Sequence, residues 1–384
     1  MPSDVTMPYV DVPHPVSPGL WALAWRRLRA DGVAMVSLAI VVLFLVQMML
    51  SGTGLIAKDW SREVGVNYAP PTFIGPEPSA PAPPGATGTP SAPTASDKPT
   101  ELPIEDPLAD ALAAIRNQTA KPGATDTGTE SGKTVDPLAD VMADIRSKAV
   151  EATPLEARSP TLPFGGDKWG RDVLKKVIKG SETSIFVGLA AAVVATLLGT
   201  VFGAVAGYYG QWLDDFFNWF YSVFTAIPYL LLILAVAAVL QQKGTWTIVL
   251  ILGLTGWTGT FRLIRGEYLK HKGREYVQAA DAIGASNARR MFIHIFPNVS
   301  HIVLVQLSIY TVAFIKSEVI LSFLGFGVPV DVVSWGSMLN EAQNELILGK
   351  WWQLAAAGTY MAVLVTAFSL FTDALRDALD PKLK

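Results

Sequence analysis

The chain has 384 residues, of which 51% are hydrophobic and only 16% charged, whereas an ordinary soluble domain carries roughly a quarter charged residues. Its 30 basic and 33 acidic side chains nearly cancel, which removes any global charge that would draw nucleic acid or an acidic substrate. There is no cysteine, and the four histidines stand far apart or without carboxylate support, so no disulfide framework, thiolate nucleophile, metal site or cofactor site is expected.

What remains is the composition of a membrane protein. The opening residues, "MPSDVTMPYVDVPHPVSPG", carry prolines and acids where a signal peptide has a basic start and a short apolar core, so no cleavable leader is expected there. Next, "LWALAWRRLRA" sets tryptophan, leucine and arginine at helical spacing. It reads equally as an interfacial helix or as the basic flank of the following span. Six segments then have the length and apolarity that a bilayer crossing demands, about 20 residues of helix. They are 32–50, 184–207, 216–240, 245–261, 299–321 and 351–371, the fourth being the shortest. Arg26, Arg27 and Arg29 precede the first, and Arg262, Arg265, Lys270, Lys272, Arg274, Arg289 and Arg290 fill the loop after the fourth. The positive-inside rule puts both clusters in the cytoplasm, and with six spans both termini lie there too.

Four parts follow: a cytoplasmic N-terminus at 1–31, the first span at 32–50, an external segment at 51–160, and a core at 161–384 with five further spans. Within the external segment, "APPTFIGPEPSAPAPPGATGTPSAPTAS" from Ala69 has almost no large apolar side chains, so burial cannot offset its chain entropy and an extended linker is expected. Two near-copies follow, "DPLADALAAIR" at 106–116 and "DPLADVMADIR" at 136–146. Each reads as a short helix with Asp at the N-cap and Pro in the first turn. They read either as docking helices or as a duplicated linker fragment. "TGTESGKT" at 127–134 nearly spells a phosphate-binding loop, but Thr127 stands where the first glycine belongs and no strand precedes it. ATP binding by this chain is not expected.

In the second span Gly199, Gly203 and Gly207 recur every fourth residue, which lets another helix approach closely. Pro228 is expected to bend the third span, and to be a gate hinge or a packing kink. Lys316 and Glu318 in the fifth span are expensive in lipid, so they are expected to face a cavity, another subunit or the outer interface. Two residues apart, they cannot share a helical face.

Between the fourth and fifth spans stands "REYVQAADAIGASNARRMFIHIFPN", residues 274–298, a polar run between apolar ones. Tyr276 to Ile283 reads as a short helix stopped by Gly284, and Ser286 as the N-cap of a second helix from Asn287 until Pro297. Helix, glycine turn and helix suit either DNA recognition or a socket for a cytoplasmic protein. A loop of this size between two spans has no room for a DNA-binding domain. The socket reading therefore leads, with Ala279 and Ala280 admitting a partner at close range and Arg289 on a solvated face.

On these residues the stretch resembles the cytoplasmic "EAA" motif of ATP-binding-cassette importer permeases, in which EAA, three residues, Gly, nine residues and I-x-L-P follow one another. Gln278, Ala279, Ala280 and Gly284 match its first half, with glutamine in place of glutamate, and His294 to Pro297 occupy the second. "GGDKWGRDVL" at 165–174, "AGYYGQWLDD", "SFLGFGV", "SWGSML" and "RDALDPKLK" are similar to segments of the C-type permease of the dipeptide and oligopeptide transport family, with Gly166 where that family has threonine. The resemblance implies an all-α integral membrane protein with the six-span fold of type I importer permeases, in the cytoplasmic (inner) membrane of a bacterium. It implies a second homologous permease, two cytoplasmic ATPase subunits and an external binding protein as partners, with small peptides or related ligands as cargo and no catalytic residue on this chain. By matching position, Gln278, Ala279, Ala280, Gly284, Ala285 and Ser286 would dock the ATPase. A stand-alone secondary transporter is the rival reading. It needs ion-coupling carboxylates in its spans, and Glu318 alone qualifies, because Asp214 and Asp215 read as solvated at a span end.

Overall fold

A computed structural model describes residues 20–76 and 158–379. The repeats at 106–116 and 136–146, the near phosphate loop at 127–134 and the two chain ends lie outside the described residues. In chain order the helices are α1 (Leu20–Ala30), α2 (Gly32–Gly52), α3 (Val173–Tyr209), α4 (Gln211–Thr225), α5 (Tyr229–Leu240), α6 (Thr245–Thr255), α7 (Thr258–Lys272), α8 (Glu275–Ala282), α9 (Asn287–Phe323), α10 (Trp335–Ile347) and α11 (Trp352–Leu379). Four of these, α2, α3, α9 and α11, are each long and apolar enough to cross a membrane, and the number rises to six if the bent pairs α4–α5 and α6–α7 each count as one span. β-Structure among the described residues amounts to four isolated bridges.

α3 is the central strut. Its stripe of Gly199, Gly203 and Gly207 lies against the chain from Trp257 into α7, so closely that a Cβ on each glycine would stand 2.6, 2.7 and 2.6 Å from the carbonyl oxygens of Trp257, Phe261 and Arg265. Both rows advance four residues at a time, which is how small residues bring two backbones together where lipid supplies no hydrophobic drive. α4 then lays Phe217, Phe220 and Phe224 on Trp257 and Phe261, with the Phe220 ring stacked 5.3 Å from the Trp257 ring.

The third expected span is not one straight helix. α4 and α5 meet at 86°, because Pro228 cannot donate to the preceding turn and sits in an extended conformation as the N-cap of α5. Asp214 is not solvated as the sequence suggested: Arg265 of α7 holds it in a bidentate pair at 2.5 and 2.6 Å. The pairing follows from α4 folding back on α7.

At one end of the bundle, residues 53–76 and 158–172 are knitted into a clasp by the bridges Glu63 to Arg171, Gly65 to Ser159, Pro71 to Leu162 and Gly166 to Asp172. Chain order therefore reaches further than composition implied: 69–76, the start of the expected linker, belongs to the clasp, and Ala69 is fully buried there. Gly170 has φ +75°, and a Cβ on it would come 2.1 Å from the Gly65 carbonyl oxygen. The clasp leads into α3 through Asp172, whose side chain accepts from the Leu174 N–H. At the opposite end α1 buries Ala24 and Leu28 against Leu375, Ala378 and Leu379 of α11, and leaves Trp21 and Trp25 exposed.

Candidate functional site

The polar run at the end opposite the clasp folds into a self-contained unit. α8 buries Val277 and Ala280, three residues apart on one face, and Val277 packs with residues of α3, α7 and α9. Past Ile283 the chain turns at Gly284, with φ +82°. The Gly284 N–H donates to the Asp281 carbonyl and the Ala285 N–H to the Ala280 carbonyl, both at 2.9 Å. This is the double closure that lets glycine end a helix without orphaned carbonyls. Ser286 then caps α9, its hydroxyl accepting from the Arg289 N–H. Arg290 reaches back to Asp281 at 2.5 Å, and Asn287 accepts from Tyr208 of α3 at 3.1 Å.

Gln278, Ala279, Gly284 and Ser286 are exposed and Ala285 is half-buried, so five of the six positions named from sequence lie on or near the outer face of one turn. Ala280 does not: it is 4% exposed, because it shares the inward stripe with Val277. Nothing stands within 4 Å of where a Gly284 Cβ would be, and Ile283 beside it is 85% exposed. Tyr276, Phe292 and Ile293 are exposed as well. Sequence reasoning passed over these apolar side chains, although an isoleucine next to the glycine stop of a polar run is itself a signal.

The second helix does not stop at Pro297. Residues 290–295 form a π turn, and α9 continues through the proline to Phe323. Proline brings no N–H to the turn, and the widened π register absorbs that loss. In it the Met291 carbonyl accepts from the Phe296 N–H and also from the Tyr268 hydroxyl, at 3.2 Å.

Residues 199–384 match the family described as binding-protein-dependent transport system inner membrane component, and residues 19–71 match the N-terminal TM domain of oligopeptide transport permease C. The chain is similar to the dipeptide transport system permease protein DppC of Bacillus subtilis, 38% identical over 221 residues, which is 58% of this chain and 69% of that protein. It is similar to the oligopeptide transport system permease protein OppC of B. subtilis, 37% identical over 221 residues, covering 58% of this chain and 72% of the relative. OppC of Escherichia coli is 36% identical over 219 residues, 57% and 72% of the two chains. This chain belongs to the peptide ABC permease family. It is an integral membrane protein of that family, of the C type, and its family is one of transport rather than of catalysis.

The remaining sequence-named residues of the permease fall elsewhere. Pro228 stands at the α4–α5 bend. Lys316 is exposed and Glu318 is 0% exposed, on different faces of α9. Glu318 faces no open space: Ser184 of α3 and Ser322 both donate to its carboxylate at 2.7 Å. Ser184 in turn accepts from the N–H of Trp335 at the start of α10, so the carboxylate ties three helices together.

At the clasp end the permease also buries a cluster that sequence reading missed. Lys176 of α3 donates to Asp167 at 2.7 Å, to Glu341 of α10 at 2.5 Å and to Gln353 of α11 at 3.3 Å. Asp167 further accepts from the N–H groups of Trp169 and Arg171, which makes it the anchor of the clasp turn. Glu345 lies beside this cluster and is buried. Burial pushes its carboxyl up to about 7, with Asp167 and Glu341 adding to the rise and Lys176 opposing it.

Proposed function

We propose that this permease is one of two homologous membrane subunits of an ATP-driven importer, with two cytoplasmic ATPase subunits docking on the α8 unit and its counterpart and an external binding protein delivering small peptides. The relatives' names, dipeptide and oligopeptide transport system permeases, support the cargo class. In this reading each bent helix pair is one crossing, giving six, and the α8 end faces the cytoplasm of a bacterium across its inner membrane. The arginines at 26–29 and the cations from Arg262 to Arg290 support that orientation. Both termini then lie inside and the clasp lies outside.

One observation carries the proposal: α8 stands exposed between two membrane-spanning helices while bound rigidly to both. The Asp281–Arg290 pair joins it to α9, the Ala285 to Ala280 hydrogen bond closes the turn between them, and Val277 packs it on α7. Movement of a body seated on Ile283 and Gly284 is passed to α9 through these contacts, and a packed core answers by switching between arrangements rather than bending continuously. ATP hydrolysis belongs to the docked subunits. Within the membrane, Pro228 is the hinge candidate and the exposed Lys316 a residue of the pathway or the partner interface. We assign Glu318 to bracing α10.

Gly284→Val tests the reading. A β-branched residue at this positive φ is strained by about 1–2 kcal/mol, and its side chain projects where the ATPase sits. Uptake of a labelled dipeptide should fall to near background, while the variant still reaches the membrane and still pairs with the second permease. Arg289→Ala should be far milder. Full uptake by Gly284→Val at equal membrane abundance would overturn the docking assignment.

A further inference from the structure

The clasp end holds a polar cavity of about 160 Å³, walled by Trp60, Arg171, Lys176, Lys243, Asn340 and Glu341 among others. One of its three cations is spoken for, since Lys176 is bound to Asp167, Glu341 and Gln353. The other two are not. Among the described residues neither the Arg171 guanidinium nor Lys243 has a carboxylate partner, and both side chains line the cavity. The guanidinium is nonetheless held in place, 5.5 Å from the Trp60 ring and 6.0 Å from the Trp169 ring. Its backbone is fixed too, by the bridge to Glu63 and the N–H bond to Asp167.

An arginine cannot shed its charge, and its planar fork matches a carboxylate. We propose that this cavity is a carboxylate receptor in which Arg171, braced by Trp60 and Trp169, takes one carboxylate with Lys243 beside it. The volume is that of about five waters, enough for a carboxylate and its first carbons but not for a whole peptide. Glu341 on the wall disfavours a dianion such as phosphate. On the peptide-importer reading, on which this rests, the carboxylate is either the free C-terminus of the cargo or an acidic side chain of the delivering protein.

Two arms test it. In the first, the full chain in lipid nanodiscs is labelled with phenylglyoxal and the modified arginines are mapped by mass spectrometry, with and without millimolar propionate as the probe. Propionate should slow labelling of Arg171 several-fold and leave the exposed Arg62 unchanged. Equal labelling of Arg171 overturns the receptor whether or not the chain imports peptides. In the second, uptake of trialanine and of trialanine amide is compared in wild type, Arg171→Gln and Lys243→Gln at equal membrane abundance. If the cargo supplies the carboxylate, both variants lose trialanine uptake and keep the amide at its wild-type level, with Lys243→Gln the milder. If the delivering protein supplies it, both peptides fall alike. Wild-type uptake of both peptides in both variants overturns the proposal. Wild type importing neither peptide would instead overturn the peptide reading, with propionate protection still deciding the receptor.

Discussion

Burial favours the neutral form of Glu345, and that makes the permease's stability depend on pH in a definable window. Its carboxyl rises from 4.5 to about 7 in the folded chain, chiefly through burial. A raised acid contributes stability that is complete below the unfolded value and lost as pH rises through the folded one, here from 4.5 to about 7, with a slope of at most about 1.4 kcal/mol per pH unit. Glu345→Gln keeps the shape and removes the titration. In detergent, the variant should melt like wild type at about pH 4 and several degrees higher at about pH 8, as followed by tryptophan fluorescence. An equal melting temperature at the higher pH would remove the proton from the account. At this scale some of the site was legible in the sequence and some was not. Gly284 and Ser286 announced themselves as helix stop and helix cap, because those roles depend on backbone conformation within a few residues. Ala280 was misjudged as open to a partner, although its spacing of three from Val277 puts both on one face. The Lys176 cluster was invisible, since Lys176 and Gln353 stand 177 residues apart in the chain.

At the scale of elements, the close seating of α3 on α7 rests on three glycines, and each leaves no room for a side chain. Gly203→Ala would set a methyl carbon 2.7 Å from the Phe261 carbonyl oxygen, and neither backbone can yield without separating the helices. Overpacking of this kind costs about 1–3 kcal/mol. The variant should melt several degrees below wild type in detergent, while Gly266→Ala, on α7 with nothing within 4 Å of the new carbon, should not. Identical melting of Gly203→Ala and wild type would show that the two helices are not bound through this stripe. The glycine spacing could be read from the chain, but not the carbonyls it meets. Pro228 was readable as a bend, whereas the packing of α4 on Trp257 and Phe261 joins distant segments that no local pattern reveals. Pro297 misled for a related reason: a proline ends a regular α-helix, but a π turn just before it lets α9 run on.

For the whole molecule, the clasp explains how a long insertion can sit between the first two long spans. Bridges from 63, 65 and 71 to 171, 159 and 162 fasten the chain on both sides of the segment, so ring closure is supplied by the clasp itself. Lengthening or shortening a surface loop changes closure entropy only slowly, by about 0.6 kcal/mol per doubling. Deleting residues 101–150 should therefore leave membrane abundance and peptide uptake at wild-type levels, measured in whole cells. Normal abundance with abolished uptake would instead make the repeats at 106–116 and 136–146 a working part of the importer. The apolar spans and the polar unit between them could be recognised from the sequence because lipid demands long apolar runs; the bends and the clasp arise from contacts between distant segments. The central claim is that α8 and its glycine turn seat an ATPase, and cysteine cross-linking addresses it directly. The chain has no cysteine, so Ile283→Cys places a single thiol at a side chain that is 85% exposed. With a thiol-linked photo-cross-linker in membranes holding the assembled transporter, this position should capture an ATP-binding subunit, and Ile347→Cys, at a position 84% exposed near the clasp, should not. Capture of that subunit from Ile347→Cys and not from Ile283→Cys would contradict the account.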